Sequence, residues 1–388
     1  MTARPTDVAI ALAAAPGISR AAACRLAARL GTWQAAGWGG APRIAARLGV
    51  PPAELEAAAE LARNAPALAR RERRRAVAAG ARIVTVGEAG YPEGLEDLEL
   101  PPPALWIRGA DPPGPGRSVA MVGSRQADPY GREVARLFAR ELAAAGLTVV
   151  SGFARGIDAT AHRGALEWAE AQQQNGAPAG CATVAVLGAG LEVDYPRTHR
   201  RLGERITAAG SLVSEFPCGL EPRPWHFPVR NRLIAALAAG VIVVRAAPRS
   251  GSLITARLAL DLGREVFAVP GNIFDRRSAG PNALVADGAH PSLLPRDVLE
   301  VLGVSPGATE APTGPDGGEA GAAAESERLP PGVGGRVLAT MTPGEPVSPE
   351  AVAGALGEGV DRVLGALLEL ELEGRVRREP GAAYTRRP

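Results

Sequence analysis

Four short runs of small residues hold the groups best suited to chemistry in this chain. They are Gly123-Ser124-Arg125, Ser151-Gly152-Phe153-Ala154-Arg155-Gly156-Ile157-Asp158, Ser250-Gly251-Ser252-Leu253-Ile254-Thr255 and Pro270-Gly271-Asn272. Glycine and serine leave backbone N–H groups open, Ser252 and Thr255 add hydroxyls, and Arg125 and Arg155 add guanidinium forks. Donors of these kinds suit phosphate oxygens. Ser250 to Thr255 stands just before a helical run, so N–H groups and helix dipole would point at a bound anion. Between these turns, Phe227-Pro228-Val229-Arg230-Asn231-Arg232 sets two more arginines on a helix start. Any one Gly/Ser turn is explained by helix capping alone. Four such turns and four arginines on one rim are better explained by phosphate. No turn reads GxGxxG, so dinucleotide binding has little support.

The rim exists only if the strands are parallel. Val119 to Val122 is an apolar run, Val134, Leu137, Phe138 and Leu142 recur at helical spacing, and Leu147 to Val150 is a second apolar run. Strand, crossover helix and strand make a right-handed βαβ unit. A separate strand at 83–86 precedes this unit, and the alternation continues after it with strands at 182–187, 211–214, 241–244 and 265–269, and helices at 158–171, 199–208, 230–239 and 253–262. The pattern predicts a Rossmann-like, doubly wound and mainly parallel α/β sheet over 117–302. Ligands bind beyond the carboxyl ends of such strands. Arg245 follows Val244 and is therefore expected in the pocket. A structural pair with a carboxylate such as Glu215 or Asp261 is the other reading.

At 388 residues the chain needs more than one domain. It contains no lysine, so all 43 positive charges are arginines. With so much Ala, Gly and Pro, a GC-rich genome accounts for that without function. Cys24, Cys181 and Cys218 show no CxxC spacing and cannot all pair, which points to a reducing cytosol. Val8 to Ala15 is too short and too helical for a signal peptide, and no apolar run reaches the ~18 residues of a membrane span.

Residues 1–75 read as a helical domain, with Ala15-Pro16-Gly17-Ile18-Ser19 joining two helices in an arrangement resembling a helix-hairpin-helix or a plain bundle. Arg70 to Arg75 is the densest basic run, read as a solvated helix face or as a nucleic-acid contact. Residues 76–302 form the core domain, in which Tyr91 to Pro103 is a turn-rich connection and Gln172 to Gly180 a polar insertion. Residues 303–335 have the composition of a flexible linker. Residues 336–388 read as three helices and a β-wing, a winged helix whose third helix carries Arg362 against Asp361, Glu369, Glu371 and Glu373. That acidity favours protein contact over duplex reading. Asp158 and His162 share a helical face, read as a capped helix start with a hydrogen-bonded histidine. His199 and His226 have no Cys or carboxylate at ligand spacing, and no GxSxG, HExxH or Walker A pattern occurs. We expect no metal, no cofactor and no enzyme activity.

The ordered motifs GSR…YG, SGFARGIDATAH, AVLGAGLEVDYP, SEFPCG, FPVRNRLIAAL, SGSLITA, VFAVPG and GPNALVADGAH resemble those of the DprA/Smf family of bacterial DNA-processing proteins. The resemblance covers about residues 83–302. It implies a Rossmann-like core that binds single-stranded DNA, homodimerisation, and delivery of RecA onto incoming or SSB-coated DNA during natural transformation. Carried over by position, the pocket is Arg125, Arg155, Arg230 and Arg232 with the Ser250 to Thr255 loop. Two positions depart from the family pattern, which usually has Ser or Thr where this chain has Asp128, and Glu where it has Arg245.

Two functions follow. The first is a cytoplasmic single-stranded-DNA binder, with Phe227 and Phe153 as stacking faces, although Phe153 fits ordinary core better. The second is a nucleotide sensor or nucleoside-monophosphate hydrolase on a similar core. Hydrolases of that kind use a PGGxGT loop with a nearby glutamate. Here the loop is Ser250-Gly251-Ser252 and carries no acid, so the first reading is preferred.

Overall fold

The apolar run Val119 to Val122 feeds both faces of a nine-stranded sheet. Ala120 and Val122 enter the core on one side, and Val119 and Met121 the core on the other. Val241 and Val243 alternate with Ile242 and Val244 in the same way. This is the period-two signature of strands covered on both faces. The computed structural model describes residues 4–15, 17–28, 49–176, 180–304, 333–341, 346–372, 375–378 and 383–386. Contacts divide the chain into two compact units, Met1–Ala311 and Pro312–Pro388.

In the first unit the strands are β1 (Arg82–Thr85), β2 (Ala104–Gly109), β3 (Ser118–Val122), β4 (Thr148–Ser151), β5 (Thr183–Val186), β6 (Gly210–Ser214), β7 (Gly240–Val243), β8 (Glu265–Ala268) and β9 (His290–Pro291). Their spatial order is β1-β2-β6-β5-β4-β3-β7-β8-β9. Neighbours from β6 to β9 in that order are parallel, while β2 pairs antiparallel with both β1 and β6. The chain winds outward from β3 through β4 and β5 to β6, then returns to the other flank of β3 with β7. That reversal opens a crevice beyond the carboxyl ends of β3 and β7. The sequence pattern does not reveal β2. Pro101-Pro102-Pro103 reads as a turn, yet Leu105, Trp106 and Ile107 soon after it are fully buried.

The helices of this unit are α1 (Pro5–Ala14), α2 (Arg20–Ala27), α3 (Pro52–Ala78), α4 (Pro129–Ala144), α5 (Ile157–Gln174), α6 (Arg200–Ala209), α7 (His226–Ala236), α8 (Gly251–Asp261), α9 (Ala279–Ala286) and α10 (Pro295–Leu302). α4 begins where the Asp128 carboxylate accepts from Gly131 N at 2.8 Å. It buries Ala135, Phe138 and Leu142. Leu137, expected on that face, is instead exposed. α7 starts four residues before the expected Arg230 and ends at Ala236. Gln172 to Gln174 complete α5 rather than opening an insertion.

α3 runs through residue 75, the expected end of the helical domain, and carries the basic run. Arg73 pairs with Asp7 at 2.5 Å, and Arg75 with Glu72 and Glu192 at 3.6 and 3.4 Å. Those two arginines are therefore engaged within the fold. At the α1–α2 turn, the Ser19 N–H and hydroxyl both donate to Glu54 Oε2, at 2.9 and 2.8 Å. A carboxylate sits where a helix-hairpin-helix would hold a phosphate, so the plain helical packing fits this turn better.

The second unit contains α11 (Val333–Thr340), α12 (Pro349–Leu356) and α13 (Val360–Leu372), with β10 (Pro346–Val347), β11 (Val376–Arg378) and β12 (Tyr384–Arg386). Its sheet order is β10-β12-β11, a winged-helix arrangement. Val337, Leu338, Val352, Val363, Leu367 and Leu370 form its core. α11 starts inside the expected linker, of which residues 305–332 lie outside the described residues.

Candidate nucleic-acid interface

The crevice at the sheet reversal is a cleft of about 310 Å³. Gly123 and Arg125 come from the turn after β3, Ala154 and Asp158 from the turn after β4, and Phe227, Arg230 and Asn231 from α7. Ser250, Gly251, Ser252, Ile254 and Thr255 close it from the start of α8. Ser250 caps that helix, accepting from Ser252 N at 3.4 Å, and the two serine hydroxyls lie 2.8 Å apart. Asn231 Nδ2 donates to Gly251 O at 3.4 Å, which fixes α7 to the α8 turn. Arg125 is exposed at the mouth with its guanidinium carbon 5.1 Å from the Phe227 ring centre. A cation held on an aromatic face opposite a helix N-terminus can clamp an anion from two sides.

A second cleft of about 530 Å³ adjoins the first, sharing Arg125, Ala154 and Phe227. Gly152, Phe153 and Arg155 line it, with Leu187, Gly188, Tyr195 and Arg197 opposite. Arg155 is exposed here.

Beneath the clefts lies a buried polar layer. Arg230 is buried and its Nη1 donates to the carbonyls of Gly152 and Val186. Burial pushes its pKa down to about 10, with Asp158 acting in the opposite sense. Burial likewise raises the Asp158 carboxyl, against the opposing pull of Arg230. Asp158 accepts from Ala154 N at 3.3 Å, so it braces the turn instead of facing a ligand as a base. Gly152 is required here: a Cβ would lie 2.5 Å from Arg230 Nη1 and 2.6 Å from Asp158 Oδ2. Gly156 is required as well, having a φ of +82° and the Ser124 carbonyl oxygen in the space a Cβ would take. Phe153 is buried core, yet adopts a left-handed φ of 59°. Its carbonyl accepts from His199 Nδ1 at 3.1 Å and its ring meets the His199 ring edge-on at 5.2 Å.

His162 lies deeper in this layer and contacts Thr183, not Asp158. The Thr183 hydroxyl donates to Val149 O, so His162 Nδ1–H must donate to Thr183 Oγ1, at 2.7 Å. Its Nε2 is buried without a partner, and burial pushes its pKa down to about 3. A folded pKa below the unfolded value of ~6.5 means stability is fully present above 6.5 and is lost as pH falls towards 3. Between pH 8 and pH 5 this one residue should withdraw ~2 kcal/mol. Thermal melts across that range should show a steeper acid loss for the wild type than for His162→Asn. Parallel curves would disprove the assignment.

Several expected site residues lie elsewhere. Ser151 is buried and donates to Met121 O at 2.6 Å. Ser124 donates its N–H to Arg245 O at 2.6 Å and is spent holding two turns together. Arg232 turns away from the clefts, donating to Leu100 O at 2.8 Å and to the Glu215 carboxylate at 2.5 Å. Gly271 packs on Ser278 and is fixed by Asn282, whose Oδ1 accepts from its N–H at 3.0 Å.

Arg245 is not a pocket residue. Its guanidinium is buried, pairing with Asp128 at 2.7 Å and Asp275 at 3.2 Å, and donating to Ser278 Oγ. Neither Glu215 nor Asp261 is its partner. Asp128 is held below the usual carboxylate range: burial is the largest single influence and works against this, but the Arg245 and Gly131 hydrogen bonds together with the charges of Arg245 and Arg277 outweigh it. Tyr130 covers the guanidinium at 4.7 Å.

The turn pattern does not assign Tyr195, Arg197, Pro224 or Ile254 to the site, since none is a small or cationic member of a Gly/Ser turn. The run AVLGAGLEVDYP, which ends just past Tyr195, is the only signal for the first two. Among the described residues no group of three or more His, Cys, Asp or Glu could hold a metal ion.

A parallel sheet whose reversal is lined by a helix start and exposed arginines defines a class: Rossmann-like proteins with a rim able to receive anions. Comparison with known proteins then narrows the class to a family. Residues 82–303 match the family model for DNA recombination-mediator protein A, and residues 321–382 match the DprA winged helix domain. Protein Smf of Escherichia coli is 41% identical over 294 residues, 75% of this chain and 74% of that protein. The DNA processing protein DprA of Bacillus subtilis is 36% identical over 224 residues, 58% of this chain and 72% of that protein. The X-ray structure of DprA from Streptococcus pneumoniae superposes with a TM-score of 0.62 at 31% identity, covering 77% of this chain and 98% of that one. The chain belongs to the DprA/Smf family of DNA-processing proteins.

Proposed function

We propose that this protein binds single-stranded DNA across the two adjoining clefts and presents it, as a homodimer, for loading of RecA. The observation that carries the reading is the exposed Arg125 on Phe227, facing the start of α8. That pairing supplies a phosphate clamp and an aromatic face side by side, which single-stranded binders combine. Arg155 extends the positive rim. RecA loading and dimerisation rest on the family. SSB-coated DNA is the expected working substrate and the cytoplasm the expected location. Among the described residues no helix is long and apolar enough to cross a membrane.

Nucleotide hydrolysis is disfavoured because Asp158 is the carboxylate that lines the first cleft, and it is braced by Arg230 and Ala154 N–H. Base release from a nucleoside-monophosphate panel would reverse this preference. The winged-helix unit fits a protein-contact role. Leu364 and Leu368 stand exposed on α13 beside Asp361 and Glu369, which a DNA groove would repel.

The test is oligonucleotide binding at several salt concentrations. Arg125→Ala and Arg155→Ala should each weaken binding, flatten the salt slope by ~0.7, and leave the melting temperature unchanged. Wild-type affinity and slope in both variants would exclude these clefts as the binding site.

A further inference from the structure

The N-terminal helices reach α7 through a file of side chains. Arg20 opens α2, and Ser19 before it is held by Glu54 of α3. The Arg20 guanidinium donates to Ala13 O and lies 5.0 Å over the ring centre of Phe216, which is buried just past β6. Phe216 stacks in turn on His226, with ring centres 4.3 Å apart and 25° between planes. Both rings are tied to the turn after β5. Phe216 N–H donates to Ser214 Oγ at 3.0 Å, and that hydroxyl donates to Ala189 O at 2.7 Å. His226 Nδ1–H donates to Gly188 O at 3.1 Å. Burial above all, then the charges of Arg20 and Arg223, push the His226 pKa down against the Gly188 hydrogen bond, so the ring stacks as a neutral heterocycle. His226 is the first residue of α7, and the next, Phe227, carries Arg125.

We propose that Arg20 is a positioning residue for DNA binding: by holding Phe216 against His226 it sets the first turn of α7, and with it Phe227 and the seat of Arg125. This rests on the single-stranded-DNA reading and gives the N-terminal helices a part in it without contact to DNA. A binding side chain is held to within about 0.5 Å only when the groups behind it are locked by their own packing and hydrogen bonds. Phe216 and His226 stand behind Phe227, and the Arg20 cation on the Phe216 ring supplies the lock from α2. Arg20 is thus separable by experiment from Arg125, whose guanidinium would meet the phosphate itself.

The full-length protein is titrated with an oligothymidylate at several salt concentrations, well below the melting temperature of every variant. Arg20→Ala should weaken binding roughly five-fold, the worth of one cation–π contact, with an unchanged salt slope because no phosphate contact is removed. Arg73→Ala is the structural control. It removes a tie between α3 and Asp7 of α1, and should bind as the wild type does. Before DNA is added, the ring-proton resonances of His226, one of four histidines, should shift in Arg20→Ala and stay in place in Arg73→Ala. Wild-type affinity in Arg20→Ala, an equal loss in Arg73→Ala, a flattened salt slope, or unmoved His226 resonances overturns the positioning role alone. A wild type that fails to bind the oligothymidylate overturns the DNA reading and this role with it.

Discussion

Arg245→Glu should lower the melting temperature of the Met1–Ala311 unit by several degrees while leaving the salt slope of DNA binding unchanged. The wild-type guanidinium is buried and answered by two carboxylates and a hydroxyl. Removing one partner from a buried pair costs ~3–5 kcal/mol, because the other is left uncompensated. Here a third carboxylate would be added to Asp128 and Asp275. In a unit of this size ~3 kcal/mol corresponds to roughly 5 °C. The two departures from the family pattern are thus one feature: Asp128 and Arg245 are partners. Asp128→Ser combined with Arg245→Glu introduces the pair of residue types that the family resemblance led us to expect. The introduced carboxylate would then face the Ser278 hydroxyl and Arg277, which already lies 3.5 Å from Asp128. The double variant should recover much of the loss, as contacting residues couple non-additively. Losses that simply add would show that the two positions changed independently.

Arg230→Ala should damage both stability and binding, unlike Arg125→Ala. Arg230 neutralises Asp158 and ties Gly152 O to Val186 O, so it joins the turn after β4 to the end of β5. Its loss orphans two carbonyls and a buried carboxyl, again ~3–5 kcal/mol. The turn that carries Arg155 then loses its floor. Binding should weaken even well below the melting temperature, with Phe153 the natural reporter of the change. A normal melting temperature with weakened binding would mean that Arg230 contacts DNA directly.

The sheet is legible because strands buried on both faces announce themselves as apolar runs, and because small residues follow most of them. β2 is not, since three prolines precede it and its pairing with β6 is antiparallel. The rim is legible as a set of turns but not residue by residue. Arg125, Arg155, Arg230 and Arg232 look equivalent in a string of letters. Their fates diverge through partners distant in sequence: Phe227 under Arg125, Gly152 and Val186 around Arg230, Glu215 beside Arg232. Arg245 goes the same way, because nothing local says that Asp128 lies beside it. Tyr195 escapes because the residues around it, Asp194-Tyr195-Pro196, are not a Gly/Ser turn followed by a helix start.

The long helix α3 belongs to two interiors at once. Leu55, Ala58, Ala62 and Ala65 pack among the N-terminal helices, whereas Ala69 and Ala76 pack with Ala104 and Trp106 of β2. At 1.5 Å per residue it reaches about 40 Å, further than either interior alone requires. It acts as a splint. The N-terminal helices and the sheet should exchange their amide protons as one cooperative block, and a shortened protein beginning after residue 51 would bare Leu55 and its neighbours to water. Anyone trimming this protein to its sheet should therefore keep the helices that come before it.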